Sequence, residues 1–306
     1  MPRPNWQLRL EHGCVFVDDH NSDRVVLQHN VHPGSRPYIH PLRIGGGNAC
    51  LTEDSPWHHP WQHGVQTCFV GVNGCDFWTY PGTKPGQALG TVETDASRII
   101  ADDPHRWEVD ARWRHADGGV VFFDRQQWTL RPGADADRAD GTEQLLLDLE
   151  WTMQAVTDVE IAQHAYGGLF IRMPFRATTG AAVLSSEGNR DDDTEQQQAS
   201  WVALSMPVEV STGNPGGEAV HAGIVVFDHP SNHGHPSHWR VDTQRGINPS
   251  PCIPAPVQLA AGEAMTLRYR MLLHFGEVAA AGDGSGTTLT SDRVQQLRQS
   301  FAREEA

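Results

Sequence analysis

The chain has 306 residues, enough to bury a sizeable core as one large or two ordinary domains. Its formal net charge of −15 argues against nucleic-acid binding, since no cluster of Lys and Arg is available to neutralise phosphates. The N-terminal MPRPNWQLRLEHG lacks the apolar core of a signal peptide, and no window approaches the roughly 18 apolar residues of a membrane span. The five cysteines (Cys14, Cys50, Cys68, Cys75 and Cys252) form no CxxC pair, so they read as reduced thiols and the chain as a soluble cytoplasmic protein.

Taken in order, residues 6–17 (WQLRLEHGCVFV) predict a strand, a turn and a second strand, and Val25–Leu27 predicts another. From Val31 to Trp61 the density of Pro, Gly and His predicts loop around short strands. Gln66–Val72 is apolar enough for a buried strand, ended by the Asn73-Gly74 turn signal. Gly90–Ala101, His105–His115 and Val120–Leu130 continue the strand pattern, with WEVDARW the clearest two-residue period. Arg131–Thr142 reads as an exposed acidic hairpin end, and Gly45-Gly46-Gly47 as a turn. Gln144–Thr157 alternates as a long strand; Val159–His164 and Gly168–Met173 follow, split by Tyr166-Gly167-Gly168. After a polar loop at Glu187–Ala199 come Trp201–Met206, Val208–Ser211, Ala219–Phe227 and Met265–His274. One helix is expected, over about residues 291–304, with Ser291 as its cap and Val294, Leu297 and Phe301 on one face. This pattern predicts an all-β fold, a single large β-sandwich domain over 1–306 with one C-terminal helix.

Two stretches concentrate chemistry. His40–Trp78 holds four histidines and three tryptophans, a mixture that needs polar partners wherever it is buried and that suits a pocket lining. Within it, His59 and His63 have an HxxxH spacing, but Pro56 and Pro60 argue against a helix presenting both on one face. The histidines therefore read as hydrogen-bonding or proton-transfer groups, with loop-held metal ligation as the alternative. The second stretch, Phe227–Trp239, follows the apolar strand AGIVVF, so Asp228 and His229 are expected where a rigid strand meets its loop. Asp228 fits a proton-transfer or His-orienting role, or a turn cap before Pro230. Between the two stretches, His164, Tyr166 and Arg172 surround a Gly pair; Arg172 on an apolar strand has to meet a carboxylate or face a polar cavity. Trp57, Trp61, Trp78 and Trp239 lie in or beside the His-rich stretches, where aromatic faces suit the C–H face of a sugar. No nucleophile elbow, P-loop or dinucleotide fingerprint is present.

The ordered motifs His40–Leu42, His59–Gly64, Val72–Trp78, Tyr166–Met173, Phe227–Trp239 and Leu267–His274 resemble a bacterial family labelled "methane oxygenase PmoA", across roughly residues 35–275. The FDHPSN element is the most specific part. The family's DHPHHRG motif stands here as His58-His59-Pro60-Trp61-Gln62-His63-Gly64, in which His59 is the position that carries over. The resemblance implies a galactose-mutarotase-like supersandwich and an association with carbohydrate catabolism, though fold does not fix function. The expectation is then an enzyme of the epimerase, lyase or hydrolase type, acting on a sugar or keto-sugar. His59, His63, His164, Asp228 and His229 are the acid–base candidates; His40, Trp61, Arg172, Asn232, His235 and Trp239 are the substrate-binding ones. No organic cofactor and no resident metal are expected, the partner is a small carbohydrate, and oligomeric state is open. A non-catalytic carbohydrate-binding or regulatory protein and a metal-dependent oxidase or hydrolase are the alternatives.

Overall fold

Long strands with a strict two-residue period dictate the architecture. In the computed structural model, which describes residues 5–45, 49–80, 86–103, 105–133, 144–210, 219–279 and 289–304, Val120–Pro132 pairs antiparallel with Leu145–Ala155. Their alternate residues Trp128, Leu130, Leu147, Leu149 and Trp151 are buried, while Arg125, Gln127, Asp148 and Glu150 occupy the opposite face. This pair sits inside a sheet ordered Ala182–Ser185, Trp201–Glu209, Ala219–Asp228, Ala264–Phe275, Leu145–Ala155, Val120–Pro132, Arg106–Arg114 and Thr91–Thr94, with Arg98–Ile99 added beside Arg106–Arg114. The facing sheet, the first in chain order (the sheet just described being the second), runs Trp6–Glu11, Cys14–Asp19, Arg24–Asn30, Tyr38–Ile44, Val65–Cys68, Gly168–Ile171, Ile247–Ser250 and His238–Val241, with Ala49–Cys50 joined to Tyr38–Ile44. One apolar core, to which both sheets contribute, fills the space between them. The protein is an all-β sandwich with a C-terminal helix, as expected.

The helix α1 (Ser291–Phe301) covers part of the second sheet's outer face, where Val294 and Phe301 pack with Trp201, Val225, Phe227 and Leu272 and are joined by Leu297. Its cap is Thr290, one residue before the expected Ser291; the Thr290 hydroxyl accepts from Arg293 N at 3.3 Å. Arg270 clamps the helix end, donating to Asp148 at 2.6 and 2.8 Å and to Glu304 at 2.8 Å, with its guanidinium 4.7 Å from the Phe301 ring centre.

Local turn chemistry also follows the sequence. Asn73 (φ 46°) and Gly74 (φ 82°) both take left-handed backbone between the paired Val72 and Cys75, the requirement of a type I′ turn. Trp201–Met206 and Val208–Ser211, expected as two strands, are one strand, Trp201–Glu209. Pro207 is tolerated because pairing with the outer neighbour ends at Ala182–Ser205, so no partner there needs its missing N–H. The polar loop at 187–199 contains a short 3-10 turn at Asp191–Thr194. The acidic segment from 134 to 143 lies outside the described residues, as do residues 46–48 of the glycine turn.

The core is not wholly apolar. Indole N–H groups need acceptors, and Asp124 supplies two, accepting from Trp113 at 2.8 Å and Trp151 at 3.1 Å. Burial outweighs these donors and pushes the Asp124 carboxyl up to about 7 from 3.8. Between those values the folded chain keeps a proton that the unfolded chain has lost. The associated stability is therefore full below 3.8 and disappears as pH rises through about 7. At about 1.4 kcal/mol per pH unit, the span is of order 4 kcal/mol. Denaturant titrations from pH 4 to 8 are expected to show this falling stability, and Asp124→Asn is expected to flatten it. That variant also leaves one indole N–H without an acceptor, costing about 1–3 kcal/mol at acidic pH.

Candidate active site

The site is built on the loop from Glu53 to Gly64, which joins two strands of the first sheet. Prolines 56 and 60 prevent a regular helix, and the loop folds back so that Ser55 N donates to Gln62 O at 2.9 Å. Inside it, His59 N donates to Pro56 O at 2.8 Å and Gln62 N to His59 O at 2.9 Å. Arg172, on the neighbouring strand's end, fixes this shape. Its side chain is 1% exposed, and it donates to Glu53 Oε2 at 3.0 Å, Gln62 Oε1 at 2.8 Å and His58 Nε2 at 3.0 Å. The main chain agrees: Arg172 N donates to Gly64 O at 2.7 Å and Glu53 N to Arg172 O at 3.0 Å. A Cβ at Gly64 would stand 2.5 Å from Ile39 O and 2.6 Å from Thr52 Cβ, so only glycine lets the loop close this tightly. Arg172 thus meets the carboxylate of Glu53 and organises the loop, each of its guanidinium nitrogens holding one loop partner.

At the closed end of the loop, His63 lies between Asp54 and Tyr80. Nδ1 bonds Asp54 Oδ1 and Nε2 bonds the Tyr80 hydroxyl. The Tyr38 ring stacks on the imidazole at 4.1 Å and 20°. Burial lowers the His63 pKa more than Asp54 raises it, and the His63 bond holds Asp54 below the usual carboxylate value despite its own partial burial. Asp54 is then an ionised acceptor, so Nδ1 carries the ring proton and donates to it. Nε2 is left to accept from the Tyr80 O–H, whose pKa burial raises. The result is one directed chain from Tyr80 through His63 to Asp54. Ser35 Oγ is 3.0 Å from the Tyr80 oxygen. Arg36, held by the carbonyls of Phe77, Trp61 and Trp78 at 2.7, 2.5 and 2.7 Å, lies 4.9 Å from the Tyr80 ring centre.

His40 joins this cluster electrostatically. Its Nδ1 is 2.9 Å from Thr52 Oγ1, and burial, with smaller contributions from Arg43 and His63, keeps its pKa below normal although Asp54 opposes this. His59 and Trp61 are on the same loop, in an edge-to-face series: Trp57 to His58 at 5.3 Å, His58 to His59 at 5.0 Å and His59 to Trp61 at 5.5 Å. The outer end of the series, Trp57, is 92% exposed. His164 packs on Tyr166 at 4.3 Å, and Tyr166 meets Trp78 at 5.0 Å, so His164 reaches the cluster through two rings.

The Phe227–Trp239 motif forms a different network beside α1. The Asp228 carboxylate is fully buried and accepts from Asn232 Nδ2 at 2.7 Å, His235 Nδ1 at 2.8 Å and Ser237 N at 2.8 Å. Asn232 also brackets the Arg268 backbone, donating to its O at 2.7 Å and accepting from its N at 2.6 Å. His235 Nε2 accepts from Arg298 at 3.1 Å, and the buried Trp239 indole donates to Ala199 O at 2.8 Å. Asp228, Asn232, His235 and Trp239 are therefore committed to holding this loop. His229 contacts Phe301 at 4.9 Å and lines a cleft of about 240 Å³ on the second sheet's outer side. The two His-rich stretches thus close on separate hydrogen-bond networks.

Asp54, Tyr80, Tyr38 and Arg36 were not singled out in the sequence. A carboxylate just before a His-rich loop was the available signal for Asp54; Tyr80 and Arg36 reach the site only through tertiary contacts. Among the described residues, no three His, Cys, Asp or Glu side chains converge as a metal-ligand set. No helix among them is long and apolar enough to cross a membrane.

Fold and site thus define a β-sandwich protein with a part-buried His–carboxylate pair on a proline-shaped loop, bonded to Tyr80. The chain belongs to a family of unknown function, DUF6807, whose model matches residues 19–283. No curated protein matches it. Among solved structures, it is similar to the GH36 α-galactosidase AgaA from Geobacillus stearothermophilus in complex with raffinose, at 10% identity and a TM-score of 0.29. That alignment covers 89% of this chain and 40% of the other, and at that score it bears on neither fold nor activity.

Both imidazoles of the cluster are expected to be neutral at pH 7. Long-range ¹H–¹⁵N spectra should show His63 as the Nδ1–H tautomer and place the titrations of His40 and His63 below the ordinary 6.5. A His63 ring that is doubly protonated at pH 7 would contradict the directed chain.

Proposed function

We propose that this protein is an acid–base enzyme acting on a sugar or keto-sugar, with Tyr80, His63 and Asp54 as a proton relay and His40 as the partner base. The observation that carries the reading is the Tyr80–His63–Asp54 chain, in which an ionised carboxylate orients a neutral imidazole against a phenol. Burial raises Tyr80 and lowers His40, so the resting protein holds a protonated phenol and a neutral imidazole in the electrostatic neighbourhood of His63 and Asp54. In one direction His40 would take a proton from an acidic C–H or a hydroxyl and return it to the developing oxyanion or leaving oxygen, with the Tyr80 hydroxyl turned from His63 Nε2 to hydrogen-bond that oxygen. For the opposite direction, the phenol proton moves to His63 Nε2 as Tyr80 accepts one from substrate, and Asp54 stabilises the resulting imidazolium.

The carbohydrate assignment is supported by the loop that carries the relay. An indole as exposed as Trp57, set edge-to-face on the His58 imidazole instead of in an apolar patch, suits the C–H face of a sugar ring better than a protein surface. The motif resemblance points the same way. Epimerisation, β-elimination and hydrolysis all use such an acid and base, and no cofactor is required for them. His59 and Trp61, on the same loop, would contact the bound ring, and His164 would act through Tyr166 and Trp78.

The test is an NMR-monitored turnover screen of sugars, keto-sugars and sugar acids in D₂O, which reports both bond changes and exchange of an acidic C–H. Wild-type protein is expected to convert one of them. Tyr80→Phe and His63→Gln should each lower kcat by about 10²–10⁴-fold with little change in KM. Binding of a sugar without turnover, or full activity in Tyr80→Phe, would overturn the assignment.

A further inference from the structure

The outer face of the second sheet carries a groove that the acid–base site does not use. A cavity of about 550 Å³ crosses the strands Arg106–Arg114, Val120–Pro132 and Leu145–Ala155, within the range of about 300–1,000 Å³ typical of small-molecule sites. It shares Gln127 and Glu150 with the smaller cleft beside α1, so the two form one track over the sheet. Register explains the lining. Arg112, Phe123 and Gln154 stand in one cross-strand row, Asp110, Arg125 and Thr152 in the next, and Glu108, Gln127 and Glu150 in a third.

Phe123 is the anomaly in this face. It is 51% exposed on a central strand, with Arg112 and Gln154 directly opposite and Arg125 two residues along. A single exposed ring among polar neighbours is unlike the contiguous apolar core of a protein interface. The charges around it are already matched. Arg125 donates to Asp110 at 2.8 Å, Arg98 to Asp110 at 2.6 Å, Arg112 to Asp95 at 2.8 Å and Arg268 to Glu150 at 3.0 Å.

This pairing selects the ligand's chemistry. An anionic ligand would have to compete with carboxylates for each guanidinium, and a cation with guanidinium groups for each carboxylate. A neutral polyol does neither, because every hydroxyl both donates and accepts and can bridge a standing ion pair. The Phe123 face then takes the C–H face of a pyranose. With about 550 Å³ in the groove and about 240 Å³ in the adjoining cleft, the track has room for several linked rings.

We infer that the outer face of the second sheet binds a neutral oligosaccharide, stacked on Phe123 and read by the ion-paired rows on either side. This site is separate from the Tyr80–His63–Asp54 relay and does not depend on it. Titration calorimetry with cellotetraose, xylotetraose, maltotetraose and mannotetraose tests it. At least one is expected to bind at millimolar or lower Kd. Phe123→Ala should weaken that binding roughly tenfold or more, with Phe123→Trp restoring it, as a stacking contact requires. Tyr80→Phe should leave it unchanged, which separates this site from the relay. In the wild type, amide shift changes on binding should centre on Phe123, Gln127 and Thr152. Shifts confined to residues 53–64, undiminished binding in Phe123→Ala, or no tetrasaccharide binding would each overturn the inference.

Discussion

The buried Arg172 guanidinium is the interaction on which the candidate site depends. A cation this far from water is tolerated only when its donors are filled, and here they reach the start, middle and end of one loop: Glu53, His58 and Gln62. Releasing any of the three would leave a buried charge under-satisfied, so the loop has few alternative shapes. Because Asp54 follows Glu53 and His63 follows Gln62, fixing the two ends of the loop also fixes the Asp54–His63 contact. The strand bearing Arg172 is itself held flat against its neighbour by Gly168 (φ 108°), where a Cβ would meet Pro249 O at 2.9 Å. Scaffold, loop and relay form one mechanical series.

Asp228 is the anionic counterpart in the second His-rich stretch, but its consequences differ. Its acceptors are filled by a side-chain amide, an imidazole and a backbone N–H, and Asn232 passes the constraint to the backbone of Arg268. Arg268 and Arg270 lie on the strand whose outward charges fasten α1 and line the cleft next to it. The FDHPSN element therefore reads as the device that joins a strand end, a loop and the terminal helix. A motif rich in His and Asp looks the same in sequence whether it moves protons or ties chain segments together. What distinguishes the two is whether water and substrate can reach the polar atoms.

Much of the fold was legible because it rests on local rules. The two-residue period located the long strands at Val120–Pro132 and Leu145–Ala155, the Asn-Gly pair located a I′ turn, and i, i+3, i+7 spacing located the buried face of α1. The misses were also local. Pro207 suggested a strand break because the sequence does not show where the neighbouring strand stops, and short strands such as His238–Val241 and Ile247–Ser250 have too few residues for a period. The site was legible only as composition. Its bonds join Arg172 to residues more than a hundred positions away and His63 to Tyr80 across a strand, and no local pattern encodes such pairings. Hence the two His-rich stretches could be recognised but not assigned to separate networks, and the carboxylate that Arg172 requires could not be told to be Glu53.

A gradient of exposure separates the Tyr80–His63–Asp54 chain from the Asp228 network. The Asp228 carboxylate is 0% exposed and enclosed by fixed donors, so a change in its charge would have no solvent or substrate to compensate it. In the relay the His63 side chain is 6% exposed, while Asp54, at 30%, opens toward water. A charge formed on His63 is thus stabilised by an adjacent carboxylate that remains partly solvated, and the proton has a route out of the protein. Tyr38 stacked on one face of the imidazole and the hydrogen bonds at both nitrogens fix the ring's orientation before any substrate arrives. Pre-orientation with a partly open end suits proton transfer, whereas saturation with no open end suits architecture. That contrast is why the proposed chemistry is assigned to the loop of Asp54 and His63, while the Asp228 network ties the strand end, its loop and α1 together.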